Sequence, residues 1–349
     1  MKQALAIFLL CLTQSVIAQQ AVTRLGADIQ YGFIIPHAAD LIPISQSSPF
    51  GIRLSYDRMR LDKKRWDACN CFHYLGVQLS HYQFGNPSVL GHGTTVSTSF
   101  EPLLFRSKQW QISLATGLGI SYLNRVYDEV SNPENTFFSA PLSFLIFVSP
   151  RIQFTLNDRW SGSMALHYNH ISNGGQRQPN RGMNFPTLGV GLHYFLQHPN
   201  FPDHQANEVP DRWRPYLEVA GTMKNNPNSN NRSPAAGLSL GAYRQVGSIN
   251  AFGGGWEATI DHSLYPDTER NDLINHGLYI SHHFLFGRFD FNQRMAVYLG
   301  KPKNYQPDKS FYQRYTLLYR LSDHLQGGAS MKVHGHVAEN IEFRIGYLF

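Results

Sequence analysis

His170 and Ser172 stand two residues apart at the end of an alternating segment that runs from Met164 to Ser172. Residues i and i+2 of a strand share one face, so the imidazole and the hydroxyl are set side by side. That is the arrangement of a general base and a nucleophile. The chain continues as Asn173-Gly174-Gly175, with Gln178-Pro179-Asn180 and Asn184 close behind. Met164, Leu166 and Tyr168 share the parity of His170 and Ser172, and Leu188, Val190, Leu192 and Tyr194 share that of Asn184. A hairpin would therefore gather His170, Ser172 and Asn184 on one apolar face. In that geometry Ser172 attacks an ester carbonyl, His170 takes its proton and returns it to the leaving alcohol, and Asn184 holds the imidazole tautomer. Amide donors from Asn173 or Asn180, and from the Gly174-Gly175 backbone, would stabilise the oxyanion, each typically worth about 3 kcal/mol. A lone His-x-Ser would be an ordinary polar rim. Asn184 as a third member on the same face makes it a catalytic candidate.

The elements that must position these residues are strands. Alternation bounded by turn residues predicts about sixteen of them, with a margin of about two. They fall near 24–36, 49–59, 72–84, 95–106, 109–123, 138–156, 160–171 and 184–196 in the first half. In the second half they fall near 213–224, 234–247, 249–262, 273–286, 288–300, 311–321, 324–334 and 339–349. Tight links such as Asn157-Asp158-Arg159 and Gly287-Arg288 alternate with long polar ones such as 124–137 and 172–184. Short periplasmic turns and long extracellular loops mark an outer-membrane barrel. By parity the 172–184 link is extracellular. Two links, 60–71 and 197–212, are long on the side expected to be periplasmic. The second could divide two eight-stranded barrels, but one closed sheet over 19–349 is the expected arrangement, since closure leaves no strand edge in lipid.

Composition agrees with this fold class: an all-β, antiparallel transmembrane barrel. Charged residues are 15% of the chain, while aromatics reach 13%, with 18 Tyr and 23 Phe. Mean hydropathy is -0.31. Aromatic girdles on many short alternating strands fit these values better than a soluble enzyme does. After the first residues no apolar run reaches the roughly 18 residues of a helical span. Lys2, the apolar stretch Ala4–Leu12 and Val16-Ile17-Ala18 read as a signal peptide, 1–18, cleaved before Gln19. Cys11 lies inside that stretch, but Leu10 before it is too bulky for a lipoprotein processing site. The closing residues, Phe343 to Phe349, alternate and end on phenylalanine, like the terminal strand by which outer-membrane barrels are recognised. The chain is thus expected to be exported to the Gram-negative outer membrane.

The net charge of +6 is spread along the chain, with Lys63-Lys64-Arg65 its one compact basic run. No basic face for nucleic acid is visible. Cys69 and Cys71 would pair with each other or stay free, and no second pair accompanies them as a metal site would need. His282-His283 and His334-x-His336 are weaker metal candidates, and Asp128 or Glu129 a weaker source of a carboxylate for His170. Ser263 beside His262 lacks any accompanying motif, and 225–231 is an asparagine-rich loop.

The His170-x-Ser172-Asn173 motif, followed by Asn180, resembles that of the lipid A 3-O-deacylase family of outer-membrane enzymes. That family carries a Glu on the following strand, where this chain has Asn184. The resemblance implies a serine esterase that removes an ester-linked acyl chain from lipid A, with no metal or other cofactor. It covers about 70–197 and leaves 213–349 unexplained. His170, Ser172, Asn173, Gly174 and Asn184 are also similar to the Ser-His-Asn pattern of outer-membrane phospholipase A, which would imply a phospholipid substrate and calcium. The rival of another class is a barrel without catalysis, a pore or transporter. A sheet of about sixteen strands is wide enough for an aqueous lumen. A filled lumen with an exterior groove beside Ser172 would favour the enzyme.

Overall fold

The computed structural model describes residues 21–67, 69–174, 177–205, 208–226, 232–264, 273–335 and 337–349. The expected signal peptide, 1–18, lies outside them. Sixteen strands are present among the described residues, and their bounds follow the predicted ones closely. β1 to β8 are Ala21–Gly32, Phe50–Arg60, His73–Gln83, His92–Arg106, Trp110–Leu123, Leu142–Thr155, Trp160–Ser172 and Met183–Phe195. β9 to β16 are Trp213–Asn225, Arg232–Gln245, Asn250–Asp261, Ile274–Phe286, Phe289–Gly300, Phe311–Arg320, Leu325–His334 and Val337–Leu348.

The strands close in two sets of eight, not in one of sixteen. β8 pairs antiparallel with β1, Leu192 facing Ala27, and β16 pairs with β9, Ile345 facing Val219. Each closure uses both edges of its set, so the need to leave no edge in lipid is met twice. Alternation locates strands but does not say which of them pair, so it does not decide between the expected single sheet and two barrels. The long link 197–212 joins the two.

In the first barrel the outward residues are mostly apolar, for example Ile29, Leu54, Val77, Ile120, Ile146 and Leu166. An eight-stranded lumen is just wide enough to be filled by side chains, and this one is filled in layers. At the end bearing the long links, Tyr82, Phe84, Phe147 and Phe185 meet Leu41, Leu90, Phe137 and Phe138, which the links insert from above. In the middle Arg24 bonds Asp57 at 3.0 Å and Glu101 at 2.5 Å, and Arg151 shares Glu101 at 2.9 Å. Inward serines such as Ser55, Ser97, Ser149 and Ser163 leave room for these long side chains.

The other end is closed by Val22, Met59, Leu61, Phe72, Tyr74 and Phe195. Here the two anomalous links explain themselves. The first holds a short helix, Lys63–Asp67, whose Trp66 ring packs 4.7 Å from that of Phe72 and 5.7 Å from that of His204. The second brings Phe201 to 5.1 Å from Phe72, and His204 Nε2–H donates to the Leu61 carbonyl at 2.7 Å. They are long because they form an apolar plug for the lower mouth. Cys69 and Cys71 are disulfide-bonded, so they offer no thiolate to a metal beside His73.

The second barrel is likewise apolar outside, with Val219, Leu240, Ile280, Val297, Leu317 and Phe343 exposed. Its lumen is crossed by Arg294, Arg314 and Arg344, which pair with Glu218, Glu257 and Glu342 at 2.6–3.4 Å. Tyr312 donates to Glu257 at 2.7 Å. Burying charges is tolerable only because each carboxylate is paired and hydrogen-bonded. Gly287, with φ at +63°, makes the two-residue turn between β12 and β13, a left-handed conformation that costs glycine nothing. His282 and His283 do not form a metal pair, because adjacent strand residues face opposite sides. His283 bonds Asp290 and Ser281 inside, whereas His282 meets Asn250 outside. His336 lies outside the described residues, and Ser263 is committed to Asp261 at 2.6 Å.

Removing Arg24 would leave Asp57 and Glu101 buried with too little positive charge. Arg24→Met is expected to cost about 3–5 kcal/mol. Equilibrium urea unfolding in lipid vesicles, followed by tryptophan fluorescence, measures it.

Candidate active site

Strand register assembles the candidate residues at the loop-bearing rim of the first barrel. His170 faces Asn184 directly across β7 and β8, and Ser172 faces Phe144 across β6 and β7. His170, Ser172 and Asn184 are all half-buried and continue the outward rows that lower down carry Leu166, Tyr168 and Leu188. The three are thus on the outer, lipid-facing side, as parity predicts.

His170 Nδ1 lies 2.7 Å from Asn184 Oδ1. An amide oxygen only accepts, so Nδ1 carries the proton and Nε2 keeps its lone pair. That tautomer is the one a general base requires. Ser172 Oγ accepts from Asn180 Nδ2 at 3.0 Å and from the Gly174 N–H at 3.1 Å. Ser172 and His170 do not bond each other; among the described residues the partners of Ser172 Oγ are Asn180 and Gly174.

The link that holds Asn180 is tied down from two sides. Arg181 N–H and Gly182 N–H donate to the carbonyls of Thr136 and Phe137 at 3.1 and 3.0 Å. Asn180 Oδ1 accepts the Asn173 N–H at 3.1 Å, which fixes the amide with its NH2 end toward Ser172. Asn173 itself departs from expectation. It follows Ser172 with inward parity, so its side chain is fully buried and donates to Ser139 Oγ at 3.0 Å and to the Arg177 carbonyl at 2.8 Å. It clamps the link instead of reaching an oxyanion. Gly174 is placed as a donor, and Gly175 lies outside the described residues.

Asp128 does not serve His170. Its carboxyl is held below the usual carboxylate range by the Ser131 N–H, the Ser131 hydroxyl and the Val130 N–H, all within its own loop.

Two neighbours escaped the sequence reading. Gly182 lies against His170, where an added Cβ would stand 2.8 Å from Cε1 of the ring, and its φ is +69°. Gly182 follows Asn180 by two residues, a spacing that does not announce this contact. Beyond β1, Ile35 forms an isolated bridge with Asn184, its N–H donating to the Asn184 carbonyl at 2.9 Å. This carries His37 to the same rim, where Nε2 lies 3.0 Å from the Arg181 carbonyl. No local signal in the sequence announces a pairing between residues so far apart.

Two family models match the chain, one in each barrel. Residues 50–193 match lipid A 3-O-deacylase (PagL), and residues 213–349 match the acyloxyacyl hydrolase C-terminal domain. The second match accounts for the half of the chain that the motif around Ser172 left unexplained. No curated protein sequence matches. Among solved structures, the outer membrane enzyme PagL aligns at 14% identity over 48% of this chain and 97% of that one, with a TM-score of 0.34. A mutant porin of Rh. blastica aligns at 8% identity over 94% of this chain and 100% of the porin, with a TM-score of 0.21. The FrpB iron transporter from Neisseria meningitidis aligns at 9% identity over 95% of this chain and 70% of the transporter, with a TM-score of 0.27. Between them the family matches take in most of both barrels: the chain belongs to the lipid A 3-O-deacylase (PagL) family of outer-membrane ester hydrolases and carries that family's acyloxyacyl hydrolase C-terminal domain.

Proposed function

We propose that the first barrel removes an ester-linked acyl chain from lipid A by a Ser-His-Asn mechanism. Ser172 is the nucleophile, His170 the base and Asn184 the orienter. The observation that carries this reading is the 2.7 Å contact of His170 Nδ1 with Asn184 on the outer rim, which leaves Nε2 as a base on the face that carries Ser172. A rotation about the Ser172 Cα–Cβ bond moves Oγ from Asn180 toward His170 Nε2. The Asn180 amide and the Gly174 N–H, which hold Oγ at rest, are then left to receive the oxyanion. Hydrogen bonds of this kind commonly form only once substrate is bound.

The site opens to lipid, with Leu142, Phe144 and Ile146 exposed beside it on β6. An acyl chain can lie along this apolar strip while its ester meets Ser172, so the lipid need not leave the outer leaflet. Both lumens are filled by packed side chains among the described residues, which speaks against a pore. A neutral Asn184 cannot stabilise an imidazolium as a carboxylate does, yet a Cys-His-Asn arrangement shows that an amide suffices. The same asparagine favours a second substrate, phospholipid, through its similarity to outer-membrane phospholipase A.

Expression in a Gram-negative host, followed by mass spectrometry of lipid A and phospholipids, tests both. The expected result is lipid A lacking one acyl chain, and unaltered lipid A with Ser172→Ala. Persistence of the loss in that variant would overturn the nucleophile assignment, and lysophospholipid with intact lipid A would move the substrate to phospholipid. Asn184→Glu is expected to retain or raise turnover. Gly182→Ala would push the His170 ring off Asn184, and misplacing a catalytic group by about 1 Å costs about 100-fold. It is expected to lower kcat by that order while the barrel keeps its heat-modifiable electrophoretic mobility.

A further inference from the structure

The amide of Asn184 beside His170 creates a requirement that a carboxylate would not have. A carboxylate presents equivalent oxygens to His170 Nδ1, whereas an amide has one accepting end and one donating end. Were the Asn184 amide turned over, its NH2 would face Nδ1, the proton would move to Nε2, and His170 could no longer act as a base. Something must therefore hold the NH2 end away from the ring. In this structure Asn184 Nδ2 has no hydrogen-bond partner among the described residues.

A complementary unmet group stands on the same rim. The bridge between Ile35 and Asn184 sets β1's extension beside β8, and His37 follows Ile35 by two residues. His37 Nε2 meets the Arg181 carbonyl at 3.0 Å, and a carbonyl only accepts, so the proton sits on Nε2. Nδ1 is then an acceptor. It is buried and has no partner among the described residues. Buried polar atoms of this kind are nearly always satisfied in native proteins. Arg181 lies three residues before Asn184, so the anchor of His37 and the amide it would meet belong to one short segment.

Resting on the esterase reading above, we propose that His37 is a positioning residue, whose Nδ1 accepts from the Asn184 amide, directly or through one water, and so keeps Oδ1 turned to His170. The order of groups is then Ser172, His170, Asn184, His37 and the Arg181 carbonyl. His37 touches no substrate, and its role is to fix the tautomer of the base.

A double-mutant cycle on the full chain in detergent micelles, with purified lipid A as substrate, tests this. His37→Ala is expected to lower kcat about ten-fold or more and to leave KM within about two-fold, because the tautomer and not the binding surface is lost. His37→Gln, whose side-chain oxygen can accept from the amide, should recover most of that loss. In an Asn184→Glu background there is no amide to orient, so His37→Ala should cost less than about two-fold. An equal loss in both backgrounds would mean that His37 merely supports the fold of the rim and would overturn the proposal, as would a loss confined to KM or no loss at all. Should Asn184→Glu itself be inactive, the recovery by His37→Gln and the split between kcat and KM decide. Full turnover by Ser172→Ala would instead sink the esterase site, a separate failure from that of His37.

Discussion

The hydrocarbon of a membrane offers no hydrogen-bond partner, so every backbone amide of a spanning strand must find one in a neighbouring strand. Here that constraint is satisfied twice, by β8 returning to β1 and by β16 returning to β9. Closure at eight strands has a second consequence. The enclosed space has room for side chains but not for a substrate. The interior is consequently spent on stability: aromatic plugs at both mouths of the first barrel and charge networks through the middle of each. The proposed chemistry is left to the outside.

The site follows from this exclusion. On the outer face the side chains of β6, β7 and β8 are apolar until the rim, where His170, Ser172 and Asn184 interrupt the rows. Their inward-facing neighbours do different work. Asn173 stabilises the link above the barrel, and His167 bonds Ser149 inside at 2.6 Å. A single residue of offset therefore separates the proposed catalytic residues from structural ones, because the period of a strand is two. The segments above the rim complete the arrangement: 136–139 anchors the stretch that carries Asn180 and Gly182, and Ile35 lies against the backbone of Asn184.

An amide rather than a carboxylate beside His170 changes what the surroundings must supply. A carboxylate orients an imidazole and stabilises its charge unaided, whereas an amide does the first only if its own orientation is fixed. The proposed contact with the Asn184 amide would satisfy the buried Nδ1 of His37. The second barrel, matched by the family's C-terminal domain, shares the outer apolar belt and filled lumen of the first. Its described histidines and serine singled out by sequence, His282, His283, His334 and Ser263, are each committed to structural partners.

The sequence by itself determined the sixteen strands, their inward and outward faces, and the grouping of His170, Ser172 and Asn184, because alternation and hairpin pairing are local properties of the chain. It also carried the family resemblance, through the spacing of those residues. Tertiary structure alone decided the rest. Closure at eight strands depends on the pairing of β1 with β8, whose residues are more than a hundred positions apart, and hydropathy does not record such pairing. The plug role of the links at 60–71 and 197–212 depends on two loops meeting beneath one barrel. Asn173 was assigned to the oxyanion by type, but its inward parity sends its amide to Ser139 and Arg177. Gly182 and His37 reach the site only because the link after β7 and the extension of β1 are folded onto the same rim, a proximity set by packing across the sheet.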